Sequence, residues 1–147
     1  MKVIVKKYGG TSVSSVTKIK NIAKNIVEDA THNKVVVVLS AMGKTTDQLV
    51  SLANRCSKNP DMRDYDLLVS SGEQVSISLL SMSIKDLGRD SVAYTGWQAG
   101  IRTNNSHSSA RIVGINANKI KKDLKENKIV IVAGFQGINN GFITTLG

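Results

Sequence analysis

Cysteine, proline and histidine are almost missing from this chain of 147 residues, and each shortage closes off a class of function. The single Cys56 has no partner for an internal disulfide, so a stapled extracellular scaffold is excluded and a reducing, cytoplasmic setting is the default. Two histidines and one cysteine are too few for a zinc cluster. His32 and His107 lie in polar turns and read as surface residues, and Cys56 reads as filler on a helix face. One proline and 41% hydrophobic residues exclude a disordered, proline-rich tail. Aromatic residues make up only 4%, which bears on the net charge of +9. That charge invites a nucleic-acid partner, yet no stacking platform accompanies it. Lysines such as Lys18, Lys20, Lys24, Lys119, Lys121, Lys122 and Lys125 fall on helical segments as a solvated face, so no nucleic acid is expected. No apolar run approaches the roughly 20 residues of a membrane span. Residues 1–7 carry neither an apolar signal core nor a cleavage site, so no membrane partner is expected either.

What is present is alternation of strand and helix patterns. Residues 2–7 predict a strand. Val16, Ile19, Ile22, Ala23, Ile26, Val27 and Ala30 recur at helical spacing behind a capping Ser14 or Ser15. Val35–Leu39 is a β-branched run suited to a strand covered on both faces. Asp47 is positioned to cap a short helix through Ala53, and Pro60 marks a break. A long helical region from Met62 to Leu87 is interrupted at Ser70-Ser71-Gly72 and closed by Gly88. Val92–Tyr94 predicts a short strand, and TGWQAGIRTNNSHSS a polar loop, in which Trp97 is either an anchor at a contact or local packing. Ala117, Ile120 and Leu124 predict a helix, Ile129–Ala133 a buried strand and Phe142–Thr145 a short β-like segment. The pattern predicts one α/β domain, a three-layer α-β-α sandwich around a mainly parallel central sheet.

In such sheets ligands sit at the carboxyl ends of the strands. Three glycine-bearing loops follow strands here: KKYGGTS, LSAMGKTT and AGFQG. Glycines let a backbone approach phosphate, a following helix N-terminus supplies N–H donors, and a strand-end lysine adds a mobile charge. A bare strand-to-helix turn fits the first loop equally well. Gly43-Lys44-Thr45 imitates the end of a G-x-x-x-x-G-K-[ST] loop, but the position of its first glycine is Val38, so that pattern fails. Glu73 opens an apolar helix, either as a favourable first-turn carboxylate or as a ligand for a substrate amino group. No pattern for nucleophilic or metal catalysis is found.

In order and spacing, the segments KYGGTSV, VVVVLSAMGKTTDQLV, LLVSSGEQVSISLLSM, YTGWQAGIRT, IVIVAGFQG and ITTLG resemble the N-terminal part of the aspartate kinases, within the amino-acid kinase family. The resemblance runs through the whole chain. It implies transfer of the ATP γ-phosphoryl group, with Mg2+, to the β-carboxylate of L-aspartate, giving 4-phospho-L-aspartate for lysine, threonine and methionine biosynthesis. It further implies Lys7 as the catalytic lysine, with Tyr8, Gly9, Gly10 and Ser40 on the nucleotide side. Thr45, Thr46, Glu73 and Phe135 match substrate contacts, Glu73 suiting the aspartate ammonium. No protein metal ligand is implied. The acceptor carboxylate is already ionised at neutral pH, so a general base is not required.

In that family an R-G-G-S-D segment follows TTLG, supplying an arginine for the substrate's α-carboxylate and a catalytic aspartate. The remaining kinase half and the regulatory ACT domains come after it. These lie outside the 147 residues, so the polypeptide alone is expected to be inactive or nearly so. Its uncovered edges are expected to favour a homo-oligomer. A non-catalytic binding module and another amino-acid kinase, such as acetylglutamate or uridylate kinase, are the competing readings; Glu73 in SSGEQVS and TGWQAGIRT speak against the latter.

Overall fold

A computed structural model describes all residues from Met1 to Gly147. The chain opens with β1 (Val3–Tyr8), a 3₁₀ turn (Gly10–Val13), α1 (Val16–Asp29) and β2 (Lys34–Leu39). Three helices follow, α2 (Thr45–Cys56), α3 (Met62–Val69) and α4 (Ser71–Asp86), then β3 (Ser91–Tyr94), β4 (Ile101–Thr103) and β5 (Ile112–Ile115). The last elements are α5 (Asn118–Lys125), β6 (Ile129–Ala133), β7 (Gln136–Asn139) and β8 (Phe142–Thr145).

The β-branched runs build a four-stranded, all-parallel sheet in the order β1-β2-β6-β3. Parallel strands need covered crossovers, and the amphipathic helices supply them. α1 turns Ile19, Ile22, Ala23 and Ile26 inward, and α4 turns Ile77, Leu80 and Ile84 inward. Both pack with Val35, Val37, Leu39, Ile129 and Ile131 into the main core. On the opposite sheet face Leu124 of α5 and Ala99 meet Val36, Val130 and Val132 in a smaller cluster. That face is left open over β1, where Val3 and Val5 are 53% and 66% exposed. The layered α/β architecture and parallel sheet expected from the sequence are therefore present.

Local signals hold where they are chemical. The Ser15 hydroxyl accepts from the Lys18 N–H and caps α1, and Gly88, at φ 82°, follows the end of α4. Asp47 does not cap α2; it lies inside the first turn, because the helix already begins at Thr45. Residues 62–86 are long and apolar enough by composition to cross a membrane, yet half of that stretch is buried in the fold, and α4 packs on α1.

The sequence pattern does not reveal a second sheet, ordered β5-β4-β7-β8. β4 pairs antiparallel with β5 and parallel with β7, and β7 pairs antiparallel with β8. β4 forms out of the stretch expected to be loop, β5 out of residues just beyond it that carry no pattern, and β7 out of the glycine-rich tail. The chain passes from the parallel sheet into this one twice, from β3 to β4 through residues 95–100 and from β6 to β7 through only Gly134 and Phe135.

Candidate functional site

The register of the parallel sheet sets Tyr8 beside Leu39 and Leu39 beside Ala133. The three glycine-bearing loops therefore leave the sheet at one level, and the backbone stitches them together. Ser40 donates its N–H to Tyr8 O, Gly43 to Gly10 O and Gly134 to Leu39 O, at 3.1, 2.9 and 2.9 Å. They enclose a cavity of about 440 Å³ lined by Lys7, Gly10, Ser40, Thr46, Glu73 and Phe135, with Ala41, Gly43, Gly134, Leu146 and Gly147. Six of the nine residues singled out from sequence thus meet in one place. Tyr8, Gly9 and Thr45 do not line it. Tyr8 turns its ring toward the main core, and Thr45 turns its methyl toward Gly72 at the start of α4.

Alternation along β1 separates two adjacent lysines. Lys6 faces α1 and pairs with Asp29. Lys7 points to the other side, has no hydrogen bond or ion pair within the chain, and is the single cation of the cavity lining. Gly10 is required for a reason the motif does not state. A Cβ there would lie 2.9 Å from Gly43 O and 3.1 Å from Ala41 O, so a side chain would push the first two loops apart. The helix that follows the first glycine pair is not α1 directly: a 3₁₀ turn intervenes, and α1 begins at Val16 with its own serine cap. The helix starts that reach the cavity are those of α2, through Thr46, and α4, through Glu73.

Glu73 is 2% exposed, and its Oε2 meets no hydrogen-bond partner in the protein. Burial pushes its carboxyl up to about 7, partly offset by backbone N–H groups and the Gln136 amide. A buried carboxylate oxygen without a donor, in the wall of a polar cavity, is suited to a cationic ligand group. The helix start is fixed by a polar residue that sequence reasoning passed over. Gln136, fully buried, donates to Ser70 O (2.6 Å) and Gln74 Oε1 (2.8 Å) and accepts from the Gly96 N–H (2.9 Å). No local signal marked it, because β7 reads Gln-Gly-Ile-Asn and carries no apolar period. Ser76 adds a bond from α4 to Ser40 O at 2.7 Å.

Phe135 reaches the cavity with φ 70°, the left-handed region that bulky side chains avoid at a cost of roughly 1–3 kcal/mol. Its carbonyl accepts from the Leu146 N–H at 2.9 Å, which draws the end of β8 to the rim. His32 is exposed as expected. His107 is half-buried where an exposed residue was expected: its side chain is 19% exposed and bonded to the buried Asp66. No group of three or more His, Cys, Asp or Glu side chains is placed to hold a metal ion.

A model of the amino acid kinase family matches residues 2–145. The chain is 55% identical to Aspartokinase 2 of Bacillus subtilis (strain 168) and 54% identical to the aspartokinase of Bacillus sp. (strain MGA3). Both alignments take in the whole chain and 36% of the relative. The fold superposes on the aspartate kinase of Synechocystis with a TM-score of 0.83 at 43% identity, covering 100% of this chain and 24% of that one. The chain thus spans about a third of the length of the curated relatives it matches.

Proposed function

Since the chain belongs to the amino acid kinase family, we propose that its cavity is the acceptor side of an aspartate kinase site. The reaction is transfer of the γ-phosphoryl group of ATP to the β-carboxylate of L-aspartate, giving 4-phospho-L-aspartate. The observation that carries this reading is the opposition, in one cavity, of an unpaired lysine and a buried carboxylate oxygen lacking a donor. A zwitterionic amino acid satisfies both: its ammonium fills the donor gap at Glu73, and its side-chain carboxylate is directed toward Lys7.

Phosphoryl transfer between two anions gains most from fixed positive charge at the transferring group. Lys7, at the carboxyl end of β1, supplies that charge beside the phosphoryl group. Gly10 and Gly43 keep the loop backbone free of side chains there, and Ser40 offers a hydroxyl. Thr46 and the ring of Phe135 bound the amino-acid side. Mg2+ is supplied as the complex with the phosphates of ATP, since the lining holds one carboxylate, Glu73, already committed to the ammonium.

Lys7 is also the only side-chain cation of the lining that two anionic substrates meet, so turnover by these 147 residues is expected to be slow even where binding is intact. Calorimetry in buffers of different ionisation enthalpy tests the reading. With Glu73 titrating near 7, seating the ammonium ionises it, and L-aspartate binding at neutral pH releases roughly half a proton. The release disappears in Glu73→Gln, and affinity falls in both that variant and Lys7→Ala. Absence of binding at tens of millimolar, or binding indifferent to Glu73→Gln, overturns the reading. Coupled-assay turnover with Mg-ATP at about 10 per second or above would overturn the expectation of slow chemistry.

A further inference from the structure

Behind the cavity lies a buried carboxylate that the reaction above does not use. Asp66, on the last turn of α3, has no exposed surface. Its oxygens accept from His107 Nδ1 (2.8 Å), the Ser108 N–H (3.0 and 3.1 Å), the Thr145 N–H (3.1 Å) and the Thr145 hydroxyl (2.6 Å). No lysine or arginine reaches it. A carboxylate so placed is costly unless donors surround it, and a well-packed apolar side chain would hold α3 to its neighbours at least as well. What the carboxylate adds is direction. Four donors from two distant segments satisfy it in a single register.

That register joins the two walls of the cavity. On one side, Asp66 O accepts from the Ser70 N–H at 3.1 Å, where α3 passes into α4 and so toward Glu73. On the other, Thr145 immediately precedes Leu146 and Gly147, which line the cavity together with Glu73. The loop carrying His107 and Ser108 backs the same strand end, with Ala110 N–H donating to Thr145 O (2.9 Å) and Gly147 N–H to Ala110 O (3.1 Å).

We propose that Asp66, held by His107, is a positioning residue that sets the spacing between Glu73 and the Leu146–Gly147 wall, and through it the closeness of fit around the amino-acid substrate. The proposal rests on the amino-acid reading of the cavity, and its test separates the two. The 147-residue chain is compared with Asp66→Asn, which keeps shape but turns an amide toward the donors, and with His107→Ala and His107→Asn, the second retaining one donor. Amide exchange, the ¹³C carboxyl signal of Glu73 and L-aspartate affinity are read on each.

In Asp66→Asn, exchange at Ser108 and Thr145 rises roughly tenfold while Val37 and Ile131 keep theirs. The Glu73 signal shifts, and L-aspartate affinity falls roughly fivefold, with His107→Ala part way and His107→Asn near the parent. Loosened Ser108 and Thr145 with an unmoved Glu73 signal overturns the proposal, as does unchanged affinity. If the parent chain does not bind L-aspartate, the reading of the cavity fails, and the Glu73 signal alone decides for Asp66. If Asp66→Asn does not fold, Thr145→Val, which removes one contact, is read in the same ways and against the same outcomes.

Discussion

The two sheets are held together by different forces. The parallel sheet rests on aliphatic burial: fifteen buried side chains, from α1, α4 and the strands together with Val13 and Ala30, form one cluster. The second sheet contributes almost nothing to either apolar cluster and is tied by individual polar pairs. Thr103 meets Thr144 at 2.6 Å, Asn139 donates to Thr103 O at 2.9 Å, and Gln136 and Asp66 bind it to the helices. Apolar burial is forgiving of detail, whereas a buried polar pair is satisfied in one geometry or leaves a costly orphan. The cavity lies where the two regimes meet, its loops issuing from the apolar sheet and its far wall from the polar one.

The largest effect that would break this contrast belongs to the apolar side. Leu80 is fully buried between α1 and the sheet, and Leu80→Ala is expected to cost about 3–4 kcal/mol, measured by denaturant unfolding. A cost below about 1 kcal/mol would mean that the aliphatic cluster is not what holds the sheet.

Next comes the seam. Glu73 has its folded-state carboxyl raised from 4.5 to about 7, so the folded form holds a proton that the unfolded form releases. Its burial is tolerated in full below about 4.5, and stability declines as pH rises through about 7, by roughly 3 kcal/mol at most. Glu73→Gln should flatten that decline and be more stable than the parent at pH 8 while losing affinity for L-aspartate. Unfolding curves at pH 5 and pH 8 check this, and parallel pH dependences in the two proteins would refute it.

The smallest effect sharpens the polar side. Thr103 donates its hydroxyl to Asn104 O at 2.8 Å, so the proton between the two threonines comes from Thr144. Thr103→Val therefore strands both a carbonyl and a hydroxyl and should cost about 2 kcal/mol, while Thr144→Val strands one acceptor and should cost about 1. The double variant should cost little more than Thr103→Val alone. Simple additivity would show that the hydroxyls do not act as a pair.

The same contrast explains what could be read in advance. The parallel strands, α1 and the α3–α4 pair announced themselves because covered strands and one-sided helices impose periodicity. Lys7, Ser40, Thr46, Glu73 and Phe135 were legible because they follow strands or open helices in glycine-bearing contexts, reinforced by family resemblance. β4, β5 and β7 were not, since three or four residues with exposed Ile112, Val113 and Ile115 or buried glutamine carry no period. Asp66 and His107 were missed for a related reason. A pair 41 residues apart has no local signature, and a histidine among serines and asparagines looks solvated until the fold brings a carboxylate to it.

The insertion of β6 between β2 and β3 has a consequence in time rather than in space. β2 and β3 are made early, but the strand that joins them is completed only at Ala133, some ninety residues after β2. Until it arrives, Val35–Leu39 and Ser91–Tyr94 each present an unpaired edge, and the nascent chain depends on a late, long-range event to close its centre. Such non-local closure makes for slow folding and a vulnerable interval during synthesis. Because Gly134 and Phe135 follow directly, completion of the sheet and delivery of Phe135 to the cavity form one step, so a chain that has not finished folding has no pocket to offer.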